Sequence, residues 1–338
     1  MPMMRSALVL AALLTAQGAV SPAARTLNIY FVDVEGGQAT LIVTPAGESL
    51  LVDTGWGGAN GRDAKRIMAV AREAGLSQID YLLITHFHSD HDGGVPELSR
   101  LIPIRTFVDY GEATEKGKKV QEPFEAYARV RRKGAHLEPN VGDRLPLKGL
   151  DLQFVSGRKK TLGEPLSGGG QDNPACSAFK KKANDFTENA RSFGFRLVYG
   201  KFTFLDLGDL VWNELGQLVC PKNMLGTADV YLMAHHGNAF SGVPAVTAAV
   251  HPRVVILNNG ETKGGDTKTF NTLQGLPGLE DLWQLHLSAN KGAKQADEGF
   301  IANLSEDTAY RVTLSASEDG SFTLSNARTG FTKRYAAK

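Results

Sequence analysis

Residues 81–94, from Tyr81 to Gly94, read YLLITHFHSDHDGG. The apolar opening, Tyr81 to Ile84, has the character of a buried strand. The chain then places His86, His88, Asp90 and His91 within six residues. Side chains two apart on an extended segment share a face, so His86 and His88 are expected to grip one metal ion. Asp90 and His91 fall where the chain turns toward a short helical pattern near Val95–Leu101, within reach of a second ion. Imidazole suits zinc, and a carboxylate beside it suits a hydrolytic site that keeps open positions. A chance cluster of loop residues does not account for H-x-H-x-D-H order at a strand end, followed by Gly93-Gly94.

Thr85–Gly94 resembles the signature of the metallo-β-lactamase-fold hydrolases. Phe31–Val34 through Asp53-Thr54-Gly55 resembles the opening of the metallohydrolase domain of the ComEC competence proteins and their secreted relatives. Leu205–Leu210 and Ala234–Gly237 resemble later motifs in the same order, so the likeness runs from about Leu27 to Asn259. It implies an α/β fold, the four-layer αβ/βα sandwich, and two divalent metal ions, zinc foremost. It also implies the ligands: His86, His88, Asp90 and His91, then Asp209 as the carboxylate between the ions, preferred over its neighbour Asp206. One of His235 and His236 completes the second site. His235 comes first after its strand and is preferred; His236, with Asp90, is then expected to act on the substrate. Asp53 is expected to orient the metal loop through hydrogen bonds.

The chain also departs from the pattern. Many members supply a His between the first motif and the bridging Asp, and none lies between His136 and Asp209 here. Asn189 with Ser192 resembles the Asn and Ser of the ComEC-like branch, so Asn189 is expected to be a weak amide ligand or a donor to substrate. Glu35-Gly36-Gly37-Gln38 stands where that branch tends to carry Gly-Gln-Gly-Asp. Asn258-Asn259 is followed by Gly264-Gly265-Asp266 rather than a His-Pro element. His136, His251 and His286 read as surface or packing residues.

The 338 residues are 42% hydrophobic and 22% charged, an ordinary globular composition. Arg5, the apolar run Ala7–Leu14 and the small-residue exit Ser21-Pro22-Ala23-Ala24 predict a signal peptide over 1–24. That run is too short to span a bilayer, so a periplasmic or secreted protein without a membrane anchor is expected. Loss of Arg5 brings the basic side chains from 37 to the 36 of the acidic ones. A neutral chain carries no strong nucleic-acid signature. Cys176 and Cys220 suit an oxidising compartment, but their spacing does not fix whether they meet.

Strands are expected at Leu27–Val34, Ala39–Thr44 and Ser49–Asp53, then a helix over Ala64–Ala74 stopped by Gly75. A strand within Leu101–Asp109, a helix over Glu122–Lys133 and a strand at Leu150–Val155 follow. Residues 156–189 lack periodicity and read as a long loop over one face. The second half reads as a hairpin, Phe193–Tyr199 with Phe202–Leu207, then a strand at Asp229–Met233, a helix at Val243–Val250 and a strand at Arg253–Leu257. Leu279–Leu285 reads as helical. The hydrolase domain is expected over 25–299, and 300–338 as a C-terminal β extension of one sheet, with strands at Tyr310–Ser315 and Ser321–Asn326.

Two cations a few ångströms apart would acidify a water, so no side-chain nucleophile is needed. No Gly-x-Ser-x-Gly elbow occurs. The resemblance to the ComEC-like branch implies hydrolysis of a phosphodiester or another ester. The alternatives are a β-lactam or lactone hydrolase, and a binding protein that keeps the fold without turnover.

Overall fold

The computed structural model describes residues 26–338; the leader expected over 1–24 lies outside the described residues. The chain opens as a meander, β1 (Leu27–Phe31), β2 (Thr40–Val43) and β3 (Ser49–Val52), and crosses through α1 (Arg62–Glu73) to the parallel β4 (Ile79–Leu83). It continues through α2 (Val95–Leu98), β5 (Ile104–Val108), α3 (Lys118–Arg131) and β6 (Ala135–Leu137). The second half starts with β7 (Arg144–Leu145), β8 (Asp151–Gly157) and β9 (Lys160–Thr161), then the hairpin β10 (Gly194–Tyr199) and β11 (Phe202–Asp206). From α4 (Trp212–Gln217) the chain alternates: β12 (Val230–Leu232), α5 (Pro244–Val250), β13 (Val254–Leu257), α6 (Thr267–Gln274), β14 (Asp281–His286). It closes with β15 (Ile301–Asn303), β16 (Val312–Ala316), β17 (Phe322–Asn326) and β18 (Thr332–Tyr335).

Two nine-stranded sheets result, ordered β18-β17-β16-β1-β2-β3-β4-β5-β6 and β15-β14-β13-β12-β11-β10-β8-β7, with β9 on β8. The second sheet is buried on both faces, and its strands sort their residues by the period of two. Phe204, Val230, Leu232, Val254 and Ile256 face the core shared with the first sheet, where Ile29, Leu51 and Leu82 lie. Leu205, Tyr231, Met233, Val255 and Leu257 face the layer of α4, α5 and α6, represented by Leu215, Val246 and Phe270. With Ile67 of α1 and Tyr127 of α3 packed on the first sheet, this is the mixed α/β sandwich of two large sheets.

Two expectations are corrected. Leu279–Leu285 is not a helix: β14 runs parallel to β13 and β15. Leu282 packs toward the helical layer, whereas Trp283 and Leu285 face the central core. The i, i+3, i+4 spacing of Leu279, Leu282 and Trp283 imitates a helix, and strand pairing overrides it. Nor does the tail after Gly299 extend one sheet alone. β15 pairs with β14 in the second sheet, whereas β16 pairs with β1 and carries β17 and β18 onto the edge of the first. The 156–189 segment is largely irregular, as its composition implies, and a Cys176–Cys220 disulfide with Cα atoms 5.6 Å apart closes the pairing that the spacing left open. Among the described residues no helix is long and apolar enough to cross a membrane.

Candidate metal centre

The parallel strands deliver the site. β3 ends at Asp53, β4 at the His86 motif, β11 at Asp206, β12 at the His235-His236 pair and β13 at Asn258. All are carboxyl ends, where side chains from separate loops converge on one crevice. Glycines let the loops close up. A Cβ on Gly94 would stand 2.2 Å from the carbonyl oxygen of Thr54, and Gly208, at φ +52°, lies where a Cβ would press on Thr85 and Ser192.

Asp209 is the hub. Its Oδ2 lies 3.3 Å from His236 Nε2, 3.4 Å from His91 Nε2, 3.5 Å from His235 Nε2 and 3.9 Å from His86 Nε2. Asp90 Oδ2 stands 3.2 Å from His91 Nε2 and 3.3 Å from His236 Nε2. Asp90, His91, Asp209 and His236 place one donor atom each within 4.8 Å of one another, and all four are buried. His91 Nε2, His236 Nε2 and Asp209 Oδ1 have no hydrogen-bond partner. Buried polar atoms are normally paired, so these orphaned atoms fit a bound cation, and their N/O donor set suits a zinc-type ion.

Local backbone fixes the His pair. His235 and His236 both hold left-handed conformations, at φ 55° and ψ 43° and 20°. Such consecutive non-Gly residues cost on the order of 1–3 kcal/mol each and persist where surroundings over-determine them. Here His235 N–H donates to Gly208 O at 2.9 Å, and His236 O accepts from Gly265 N–H at 2.8 Å. The pair thereby splits, reversing the order expected from the sequence. His236, 1% exposed, stands with Asp90, His91 and Asp209, while His235 touches Asp209 from the side of an open cavity shared with Asn189.

The other expected residues are near. His86 Nε2 lies 3.1 Å from His88 Nδ1, and His88 Nε2 lies 3.2 Å from Glu115 Oε2. Asp53 accepts from the Thr85 N–H at 2.8 Å and the Thr85 hydroxyl at 2.7 Å, and its Oδ2 lies 2.7 Å from His91 Nδ1. Asp206 points away from the hub, accepting from Gly208 N–H at 2.9 Å and Gln38 Nε2 at 2.8 Å. Asn189 Oδ1 is buried without a partner.

The electrostatics of these side chains follow from this crowding. Burial would raise the Asp209 carboxyl, yet His236, His235 and His91 together hold it well below the usual carboxylate range. Burial would likewise raise Asp90, but His91 and Lys263 hold it well down. Burial and the neighbouring His91 push His86 well below an ordinary imidazole. For His91, burial acts downward and is outweighed by Asp209, Asp90 and Asp53, which raise it well above. Asp206 is pushed up to about 7 by burial, against the Gly208 N–H.

Sequence reasoning missed Lys263. Its ammonium contacts Asp90 Oδ2 and sits 4.6 Å above the Trp56 ring. It arrives from the turn after β13, 173 residues from Asp90, and no spacing rule links the two. Glu115 and Glu188 were missed as well. Glu188, fully buried, accepts from Tyr110 Oη at 2.5 Å and from the N–H groups of Thr114 and Glu115 at 2.6 and 2.7 Å. It pins the loop beside His88 to the turn that carries Asn189.

A family model described as the metallo-beta-lactamase superfamily matches residues 32–170, which include the whole His86–His91 motif. Over those residues the chain is similar to the metallo-beta-lactamase superfamily. Among curated proteins it is similar to an atrochrysone carboxyl ACP thioesterase of Cryptosporiopsis sp., 35% identical over 26% of this chain and 26% of the relative. An atrochrysone carboxyl ACP thioesterase of Aspergillus terreus is 40% identical over 20% of each chain. The matched stretch thus spans about a quarter or less of these relatives' own lengths. Similar solved structures include the metallo-beta-lactamase fold protein YhfI of Bacillus subtilis. It is 12% identical at a TM-score of 0.44, over 85% of this chain and 99% of that one. Igni18, a metallo hydrolase of Ignicoccus hospitalis, is 16% identical at a TM-score of 0.37, over 68% and 81%.

Proposed function

We propose that this metallo-beta-lactamase-fold protein is an exported, metal-dependent hydrolase of carboxylic esters or thioesters. The observation that carries the reading is the Asp209 carboxylate, met by four imidazoles, with Asp90 closing a buried four-residue group. Asp90, His91 and His236 would hold one ion, and His86, His88 and His235 the other, with Asp209 between them. Bound ions would supply an acidified water and polarise the substrate carbonyl. Asp53 holds His91 so that Nε2 faces the centre. His235 stands where the centre meets the cavity, so it and Asn189 would touch an entering substrate. The thioesterase names of the two curated relatives support an acyl substrate.

A phosphodiester is the second reading. The Lys263 ammonium beside Asp90 favours it, since a cation there would attract an anionic group. Elemental analysis of the purified protein, followed by assay on a thioester, a carboxylic ester, a phosphodiester and a β-lactam, separates these readings. Metal-dependent turnover of the acyl substrates is expected. Turnover of the phosphodiester alone, or of none while metal is bound, overturns the proposal. Export rests on the leader pattern of residues 1–24. Mass spectrometry of the periplasmic or secreted fraction should find a chain beginning near Arg25, and intact Met1 on a cytoplasmic protein would contradict it.

A further inference from the structure

Beside His235 lies a cavity of about 460 Å³, a size ordinary for small-molecule sites. Val211, Trp212 and Phe240 form its apolar side, and Lys182, Glu214 and Asn189 border it with polar groups. It is continuous with the metal centre, because the His235 that borders it is 3.5 Å from Asp209. Its wall is preorganised. Trp212 stacks on Phe179 with centroids 6.0 Å apart, and its Nε1 donates to Lys180 O at 2.9 Å. Asn213 exchanges hydrogen bonds of 2.9 Å with the backbone of Lys182. The Cys176–Cys220 disulfide anchors the same segment three residues before Phe179.

Two further observations point to an occupant. Phe186 and Phe240 are 77% and 64% exposed, whereas the other exposed large hydrophobics among the described residues reach no more than 42%. Phe240 borders the cavity, and Phe186 lies between Asp185 and Thr187, which also border it. Apolar rings left in water at the rim of one cavity mark a surface to be covered. In addition, Glu214 is 8% exposed with Oε2 lacking a partner, and Asn189 Oδ1 is buried and equally unpaired. Leaving such oxygens unsatisfied is unfavourable, and a ligand hydroxyl or N–H would satisfy them. Charge gives a dianion no excess: among the described residues Lys182, its ammonium over the Trp212 ring, borders the cavity and Lys159 lies over the Phe186 ring at its rim, two ammonium groups against the carboxyls of Asp185 and Glu214.

We propose that this cavity binds the flat apolar arm of an uncharged ester or thioester, one that carries a hydroxyl or N–H group. Phe240 and Phe186 cover the arm, and Glu214 and Asn189 read its polar group. The inference rests on the hydrolase reading above.

Its test is calorimetry on the metal-loaded protein with a non-hydrolysable hydroxynaphthoic amide, beside the same amide lacking the hydroxyl. Binding is expected, weakened about tenfold by Phe240→Ala, the scale of one aromatic contact. Glu214→Leu should abolish the preference for the hydroxylated amide. Phe186→Ala provides a second rim variant, and thermal melting confirms that each variant is folded. In parallel, the ratio of kcat/KM for a hydroxynaphthoyl ester over an acetyl ester with the same leaving group should fall about tenfold in Phe240→Ala. Absence of amide binding, or binding that neither Phe240→Ala nor Phe186→Ala changes, overturns the proposal. Amide binding with the expected variant pattern, but no ester turnover, supports the pocket and removes the hydrolase reading instead.

Discussion

The Nδ1 of His91 lies 2.7 Å from Oδ2 of Asp53, joining the end of β3 to the motif after β4. Both Asp53 oxygens also accept from Thr85, so the carboxylate cannot turn away. The contact fixes which nitrogen of His91 faces the centre. Asp53→Asn would replace an acceptor by an amide and free the imidazole to rotate. Metal affinity should fall by about 10–100-fold, the usual cost of losing such a partner. Competition against a chromophoric chelator measures it, and unchanged affinity would refute the orienting role.

Asp209 and Asp206 are three residues apart and serve different neighbours. Asp209 meets His86, His91, His235 and His236, whereas Asp206 meets Gln38 and the Gly208 N–H. Asp209→Ala should therefore lower the content of both ions together, and Asp206→Ala should retain them and lose less turnover. Elemental analysis of the two variants decides. Equal metal loss would mean that Asp206 shares the ligand role.

How much of this was legible before the fold was known follows from distance along the chain. His86, His88, Asp90 and His91 sit within six residues, so strand geometry alone brings them together. Asp209 and the His pair carried a signal because each follows an apolar strand with a glycine beside it. Lys263, Glu115 and Glu188 carried none: single charged residues in irregular segments, made neighbours of the centre by the packing of two sheets. The β14 segment was misread because its apolar residues satisfy both periods at once. The order within the His235-His236 pair was not legible either, since it depends on two left-handed residues that no side-chain pattern announces.

A buried imidazole also stands outside the candidate metal centre. His286 Nε2 lies 2.7 Å from Asp33 Oδ1, and Arg66 Nη1 donates to Asp33 Oδ2 at 2.8 Å. Burial would lower His286, but the Asp33 hydrogen bond and the charges of Asp33 and Glu35 raise it above an ordinary imidazole. A group raised on folding stabilises fully below its unfolded pKa, about 6.5. That contribution fades as pH rises through the folded value. His286→Gln should therefore cost most near pH 5.5 and progressively less through the alkaline range. Urea midpoints of wild type and variant from pH 5 to 9 test this; a gap that is constant, or widens with pH, would contradict it.

The two ion positions should differ in strength. Asp90, His91, Asp209 and His236 already stand within 4.8 Å of one another, so an ion there needs little rearrangement. The other position draws on His86, His88 and His235. Of these, His88 is turned toward Glu115 at 3.2 Å, and His235 is tied to Ser241, with Nδ1 3.3 Å from its hydroxyl oxygen. Drawing them onto an ion disturbs contacts already made, and the chain offers no His between His136 and Asp209 to replace them. Titrating zinc into apoprotein should give two affinities, with turnover following the weaker step and lost first to a chelator. His236→Ala should abolish the tighter step and His235→Ala the weaker one. Asn189→His should tighten the weaker step if its side chain reaches the ion, because imidazole is the better zinc donor. A single affinity in the wild type, or loss of the tight step in His235→Ala with His236→Ala retaining it, would overturn the division of the pair.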